Sequence, residues 1–129
     1  MINTNDLIGL KRAWGAYPND GSGTVDCCLL AAEVHKRLGY WDYTDELRTY
    51  FRTFTDDTLP KSFIARWLVQ HAERLTAPEP HAVVLLPSDE TGAVGTVLDD
   101  GRILCITKGS GVALTQLAPN VGWYFRLHR

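Results

Sequence analysis

Apolar residues recur at helical spacing in the first sixty per cent of the chain and at alternating or continuous spacing after it. The clearest helical run is Gly23-Thr24-Val25-Asp26-Cys27-Cys28-Leu29-Leu30-Ala31-Ala32-Glu33-Val34-His35-Lys36-Arg37-Leu38-Gly39. Val25, Leu29 and Ala32 form one stripe, and Cys27, Leu30, Ala31, Val34 and Leu38 form a second. Two stripes predict a helix covered on most of its circumference. Thr24 is the expected N-cap, and Gly39 stands where a left-handed stop belongs, with Lys36 and Arg37 in the last turn.

Around this run the reading continues in order. Asn5 to Trp14 is expected as a short helix, with Leu7, Leu10 and Ala13–Trp14 on one side and Lys11 and Arg12 on the other. Gly15 to Gly23 is a loop by its glycine, proline, Asn and Asp content. After the aromatic link Tyr40-Trp41-Asp42-Tyr43, Asp42 or Thr44 caps a helix running to about Phe54, with Leu47, Tyr50, Phe51 and Phe54 inward. Pro60 suits the first turn of a third helix whose apolar positions Phe63, Ile64, Trp67, Leu68 and Leu75 share a side with His71, up to the stop at Ala77-Pro78-Glu79-Pro80.

From His81 the period changes. Ala82–Leu86, Gly92–Leu98, Arg102–Thr107, Val112–Leu117 and Trp123–Leu127 read as five strands. Asp99-Asp100-Gly101, Gly109-Ser110-Gly111 and Pro119-Asn120 make the turns between them. Helices followed by an antiparallel meander is an α+β arrangement. The chain carries no internal repeat, and 129 residues support one core, so residues 1–129 are expected as a single domain.

Composition narrows the function classes. A net charge of −2 argues against nucleic acid as the main partner, because phosphate binding needs a basic face. No apolar run reaches membrane-spanning length, and the polar start Met1-Ile2-Asn3-Thr4-Asn5-Asp6 is no signal peptide, so synthesis in the cytoplasm without membrane insertion is expected. Three cysteines, two of them adjacent, make no disulfide framework.

Cys27 is the candidate for chemistry. Unpaired amides and the dipole at a helix start favour a thiolate. The other reading is a small buried residue, and Cys28, about 100° further round the helix, reads as core. His35 lies two turns along, about 12 Å by axial rise, which is too far to serve as a base. His71 sits on the amphipathic third helix and His128 near the end of the chain, which leaves His81 as the remaining base. Zinc on Cys27, Cys105 and a histidine is a further alternative, but the chain lacks any C-x-x-C or H-x-x-x-H pair. No metal and no cofactor are expected. Gly21-Ser22-Gly23 and Gly109-Ser110-Gly111 read as turns, not phosphate cradles, since no P-loop lysine follows. The dense aromatics from Tyr40 to Phe54 are core in part and leave some surface for an interface.

Asp26-Cys27 opening a helix, then Ala82-Val83-Val84-Leu85-Leu86, Ala93-Val94-Gly95-Thr96-Val97-Leu98, Asp100-Gly101-Arg102-Ile103-Leu104-Cys105 and Lys108-Gly109-Ser110-Gly111-Val112, resembles the NlpC/P60 cysteine peptidases from about Leu7 onward. The resemblance implies a papain-like fold, with N-terminal helices packed on an antiparallel sheet of about five strands. Active members cleave peptidoglycan stem peptides with a thiolate, an imidazole and a third polar group. It places Cys27 as nucleophile, Ala93 at the histidine position and Cys105 at the third position, with 105 minus 93 giving the required 12 residues. Alanine accepts no proton, and a thiol is a poor orienter.

The expectation is a catalytically silent member. The compact form looks most like proteins encoded among tailed-phage tail genes, which implies a structural or adaptor subunit of a tail tip or baseplate, made in the host cytoplasm and assembled into the virion. Hub and distal tail proteins are then its partners, with peptidoglycan as a further one. The alternative is a working endopeptidase or amidase that uses Cys27 with His81 as an unconventional base.

Overall fold

The computed structural model describes residues 2–18, 20–55, 58, 63–86, 94–107, 109–116 and 122–128. Expectations resting on Pro60, Pro87, Gly92, Ala93, Lys108, Leu117 and the Pro119-Asn120 turn lie outside the described residues. The elements are β1 (Lys11–Arg12), β2 (Thr24–Val25), α1 (Cys27–Arg37), α2 (Thr44–Thr53), α3 (Phe63–His71), β3 (Ala72–Leu75), β4 (Val83–Leu85), β5 (Val94–Val97), β6 (Ile103–Thr107), β7 (Gly111–Thr115) and β8 (Trp123–Leu127). The chain is α+β: three helices, a six-stranded sheet in the order β3-β8-β4-β5-β6-β7 with antiparallel neighbours, and a small parallel pair β1-β2.

Helix α1 is the centre of the core, as its two stripes imply. All nine residues from Cys27 to His35 are buried. Its start is later than expected. Thr24 is in β2, and its hydroxyl meets Ser22 Oγ at 2.7 Å. Asp26 is the cap instead: its backbone is extended, and its Oδ1 accepts the Cys28 N–H at 2.9 Å. Its end follows the expectation. Gly39 takes φ +89°, its N–H reaches the Lys36 carbonyl at 3.1 Å and the Tyr40 N–H reaches the His35 carbonyl at 2.9 Å. That pair of bonds is a Schellman stop, which closes carbonyls the helix leaves open.

The N-terminal segment is not the helix its spacing predicts. Leu7 N–H bonds back to the Thr4 carbonyl, and Gly9 turns the chain at φ +88°. Lys11–Arg12 then runs parallel to Thr24–Val25. Leu7 is fully buried and anchors the turn. Gly9 N–H donates to the Val112 carbonyl, and Val112 N–H donates to the Leu10 carbonyl, both at 2.8 Å. These bonds satisfy the outer edge of β7, so tertiary pairing outweighs a weak helical pattern.

The third helix is also shorter than its apolar spacing suggests. It stops at His71, and Ala72–Leu75 forms a strand along β8, Ala72 opposite Leu127 and Arg74 opposite Phe125. The sheet therefore has six strands where about five were expected. Nor is it a simple meander: β4 to β7 follow one another, but β8 crosses back to lie between β4 and β3.

The pleat sorts the strands into two faces. Val83, Val94, Leu104, Ile106, Phe125 and Leu127 join the core built on α1, with Leu85 packed against it. Val84, Val97, Ile103, Cys105 and Tyr124 belong to a second buried cluster. This division decides where each candidate side chain can act.

Candidate functional site at the start of helix α1

Cys27 and Cys28 occupy the first two positions of α1, next to the capping Asp26. Their thiols and the Asp26 carboxylate lie within 4.8 Å of one another, and all three residues are buried. The dipole here favours a negative charge, but Asp26 already supplies one. It takes the Cys28 N–H, and its Oδ2 takes the Gly15 N–H at 3.2 Å. A hydrogen bond to Cys27, burial and the nearby Asp26 charge together hold the Cys28 thiol well above the ordinary range. Asp26 is itself pushed up, because burial outweighs its two amide bonds and the field of Arg12. A site that already stores one buried carboxylate opposes a second anion.

On its other side Cys28 faces largely apolar residues. Cys28 lines a cavity of about 20 Å3 together with Ala31, Tyr43, Trp67, Val83 and Val94. Such a space holds about one water.

Ala93, the expected histidine position, lies outside the described residues. Its neighbour Val94 faces α1, whereas a side chain at Gly95 would meet Ile103 Cγ2 at 2.8 Å and Cys105 Cβ at 3.1 Å on the opposite face. Cys105 corrects the expectation for the third position. It is fully buried in the cluster on the face turned away from α1, and burial pushes its thiol up to about 11. The third strand does lie beside the helix, but it turns Leu104 and Ile106 toward it. On that face the residues separated by 12 positions are Val94 and Ile106, 106 minus 94, and both are apolar. The zinc alternative on Cys27 and Cys105 fails for the same reason, since their side chains lie on opposite sides of the sheet.

The histidines are accounted for elsewhere. His35 is fully buried, with Nδ1 2.8 Å from the Ala31 carbonyl oxygen and Nε2 2.8 Å from that of His81. His81 is thus brought to His35 rather than to Cys27. Its N–H donates to the Val97 carbonyl, at the end of β5 away from Val94, and its ring Nε2 lies 2.6 Å from Asp99 Oδ1. The structure therefore does not set His81 up as a base for Cys27. His71 packs against Trp67, ring centres 4.5 Å apart and the rings tilted by 38°, with Nε2 3.5 Å from Glu46. His128 is exposed, and its N–H donates to the His71 carbonyl.

Two features have no signal in residue spacing. One is the polar cluster of His35, Tyr40, Tyr43, His81 and Asp99, assembled from four chain segments. The other is a polar network around the buried Glu33 of α1, running out to the exposed Asp6. There Tyr17 donates to Glu33 at 2.5 Å, and Arg37 bridges Glu33 and, with two nitrogens, Asp6. The aromatic stretch is divided as expected: Tyr43 and Phe51 are core, while Trp41 stays exposed on top of Trp67. Comparison of the chain with protein-family models, curated proteins and solved structures finds no match.

Proposed function

We propose that this chain is a non-catalytic structural or adaptor domain, a silent member of the NlpC/P60-like papain fold, that acts through its surface. One observation carries the reading: among the described residues, the sheet face toward the Cys27 helix carries aliphatic Val94 and Ile106 at the 12-residue spacing, with Leu104 on the same face, where a peptidase needs an imidazole and its orienter. The capping carboxylate points the same way, since a buried acidic group beside the thiols disfavours a thiolate. The order of elements, a buried cysteine-led helix followed by antiparallel strands, is what the resemblance implies. The tail-tip or baseplate setting, with hub and distal tail proteins as partners, is supported by that resemblance alone.

The test is turnover of soluble peptidoglycan fragments by the purified protein and by its Cys27→Ala variant. Both are expected to match buffer, because losing members of a catalytic unit costs several powers of ten in rate. Hydrolysis that disappears in Cys27→Ala overturns the proposal.

A further inference from the structure

The six-stranded sheet ends differently on its two sides. At β7 the Gly9–Leu10 segment takes up the outer edge. At β3, among the described residues, no further strand follows. The His128 N–H donates to the His71 carbonyl at 3.2 Å, which fixes the bonding parity of the β3–β8 ladder. Glu73 and Leu75 turn their N–H and C=O groups toward β8. Arg74 turns its N–H and C=O outward, and Ala72 its C=O. Among the described residues none of these three groups has a hydrogen-bond partner. Open groups along an edge are a template for another strand.

Beside this edge lies a groove of about 510 Å3, within the size range of ligand pockets. Its floor is the α1-facing side of the sheet, where Ala72 and Arg74 stand opposite Leu127 and Phe125, and Leu85 stands opposite Trp123. Ala65 and Val69 of α3 line it from above. Val69 is 72% exposed and Trp123 45%, two of the four large apolar side chains left open among the described residues. A lone exposed apolar residue needs no account, but two converging on one concavity mark a contact site. Arg74 is the one charged residue lining the groove. Arg37, Arg102 and Arg126 each meet a carboxylate at 2.7 Å, whereas Arg74 meets none among the described residues. Its neighbour Glu73 projects from the opposite face and reaches Arg126 at 3.0 Å. The groove is therefore apolar with one uncompensated positive charge, and the complementary occupant is apolar with one negative charge.

We propose that β3 is a docking edge for an extended segment of a partner protein. The segment lies antiparallel along Arg74 and Ala72, with an acidic side chain opposite Arg74 and, two residues later, an apolar one opposite Ala72 that enters the groove. The antiparallel sense continues that of the whole sheet. Backbone bonds hold such a segment, and its alternate side chains select it. A second copy of this chain does not fit. Two β3 edges joined about a two-fold axis put Arg74 opposite Arg74 or Glu73 opposite Glu73, and like charges directly opposite destabilise a strand pair. The proposal deepens the adaptor reading, on which it rests, by naming the surface and the chemistry of its partner.

Four blocked peptides, acetyl-Thr-Glu-Thr-Z-Thr-amide with valine, leucine, phenylalanine or tryptophan at Z, test the edge by NMR titration of the whole chain. At least one is expected to bind with a Kd of about 1 mM or tighter, moving the Arg74 amide and the Trp123 indole N–H. Lysine in place of the peptide glutamate should weaken binding at least about fivefold, and that difference should vanish in Arg74→Gln. Methylating the glutamate nitrogen removes the donor for the Arg74 carbonyl and should abolish binding. Val69→Glu, at an exposed position where folding is not at stake, should do the same. No saturable shift with any of the four peptides, equal binding by the N-methyl peptide, or a Glu-over-Lys preference that survives Arg74→Gln would each overturn the proposal. Cys27-dependent turnover would instead overturn the adaptor reading and leave these shifts in place, so the two failures are told apart.

Discussion

Replacing Gly111 with alanine is expected to cost about 3 kcal/mol, whereas the same change at Gly109 costs about 1 kcal/mol. Gly109 lies in the turn between β6 and β7 and Gly111 opens β7, both with positive φ, +90° at Gly109 and +70° at Gly111. An L-residue pays for that backbone at either site. They differ in what a side chain would meet. A Cβ at Gly109 finds nothing within 4 Å, whereas one at Gly111 lands on the Leu10 carbonyl oxygen with the Gly9 oxygen at 3.0 Å. The Gly9–Leu10 segment must then lift from β7, and its two 2.8 Å bonds with Val112 open. For a domain of this size about 4 °C in melting temperature accompanies each kcal/mol, so Gly111→Ala should melt roughly 12 °C lower. Thermal melts of the two variants side by side make the check. Equal losses would mean that the N-terminal segment does not press on this turn.

The second large effect belongs to Asp26. Asp26→Ala removes the cap of the central helix and leaves the Cys28 and Gly15 amides without their acceptor in a buried place. A lost cap costs about 1 kcal/mol and an orphaned buried donor about 1–3 kcal/mol, so the variant should lose about 3 kcal/mol in denaturant unfolding. Asp26→Asn separates shape from charge. Burial, despite the two amide bonds, raises the Asp26 carboxyl above its unfolded value. Its contribution is therefore full below the unfolded pKa of about 3.9 and is lost as pH rises through the folded value. Asparagine has no charge to bury at any pH. The advantage of the wild type over Asp26→Asn should shrink as pH climbs through that window. A gap that widens with pH would show that the amides, not burial, dominate.

What could be read in advance depended on how local its cause was. Helix α1 was legible because its stripes, its stop at Gly39 and its basic last turn lie within one segment. The β4–β8 strands were legible for the same reason, with alternation or apolar runs between turn residues. The cap was misplaced from Asp26 to Thr24 because both are good capping types, and only the pairing of Thr24–Val25 with Lys11–Arg12 decides between them. The N-terminal turn, β3 and the crossing of β8 are products of long-range pairing, which no window of the sequence contains. The candidate site shows the sharpest limit. Residue types located Cys27 at a helix start, but whether Cys105 faces it depends on strand parity, and one residue of register exchanges the two faces. The tie between His35 and the Ala31 and His81 carbonyls was invisible because backbone carbonyls carry no mark in the sequence.

The position of β8 has a consequence for how the chain is made. Among the described residues Ala72–Leu75 joins the sheet through Trp123–Leu127, which a ribosome delivers about 48 residues later, 123 minus 75. Until then the stretch lacks the strand it pairs with, and Ala, Glu, Arg and Leu are strong helix formers. We infer that the nascent segment extends the preceding helix as a provisional turn and surrenders it when the final strand threads in between. A fragment ending before Trp123 would then show helical amide shifts at Ala72–Leu75, and extended shifts there would sink the idea.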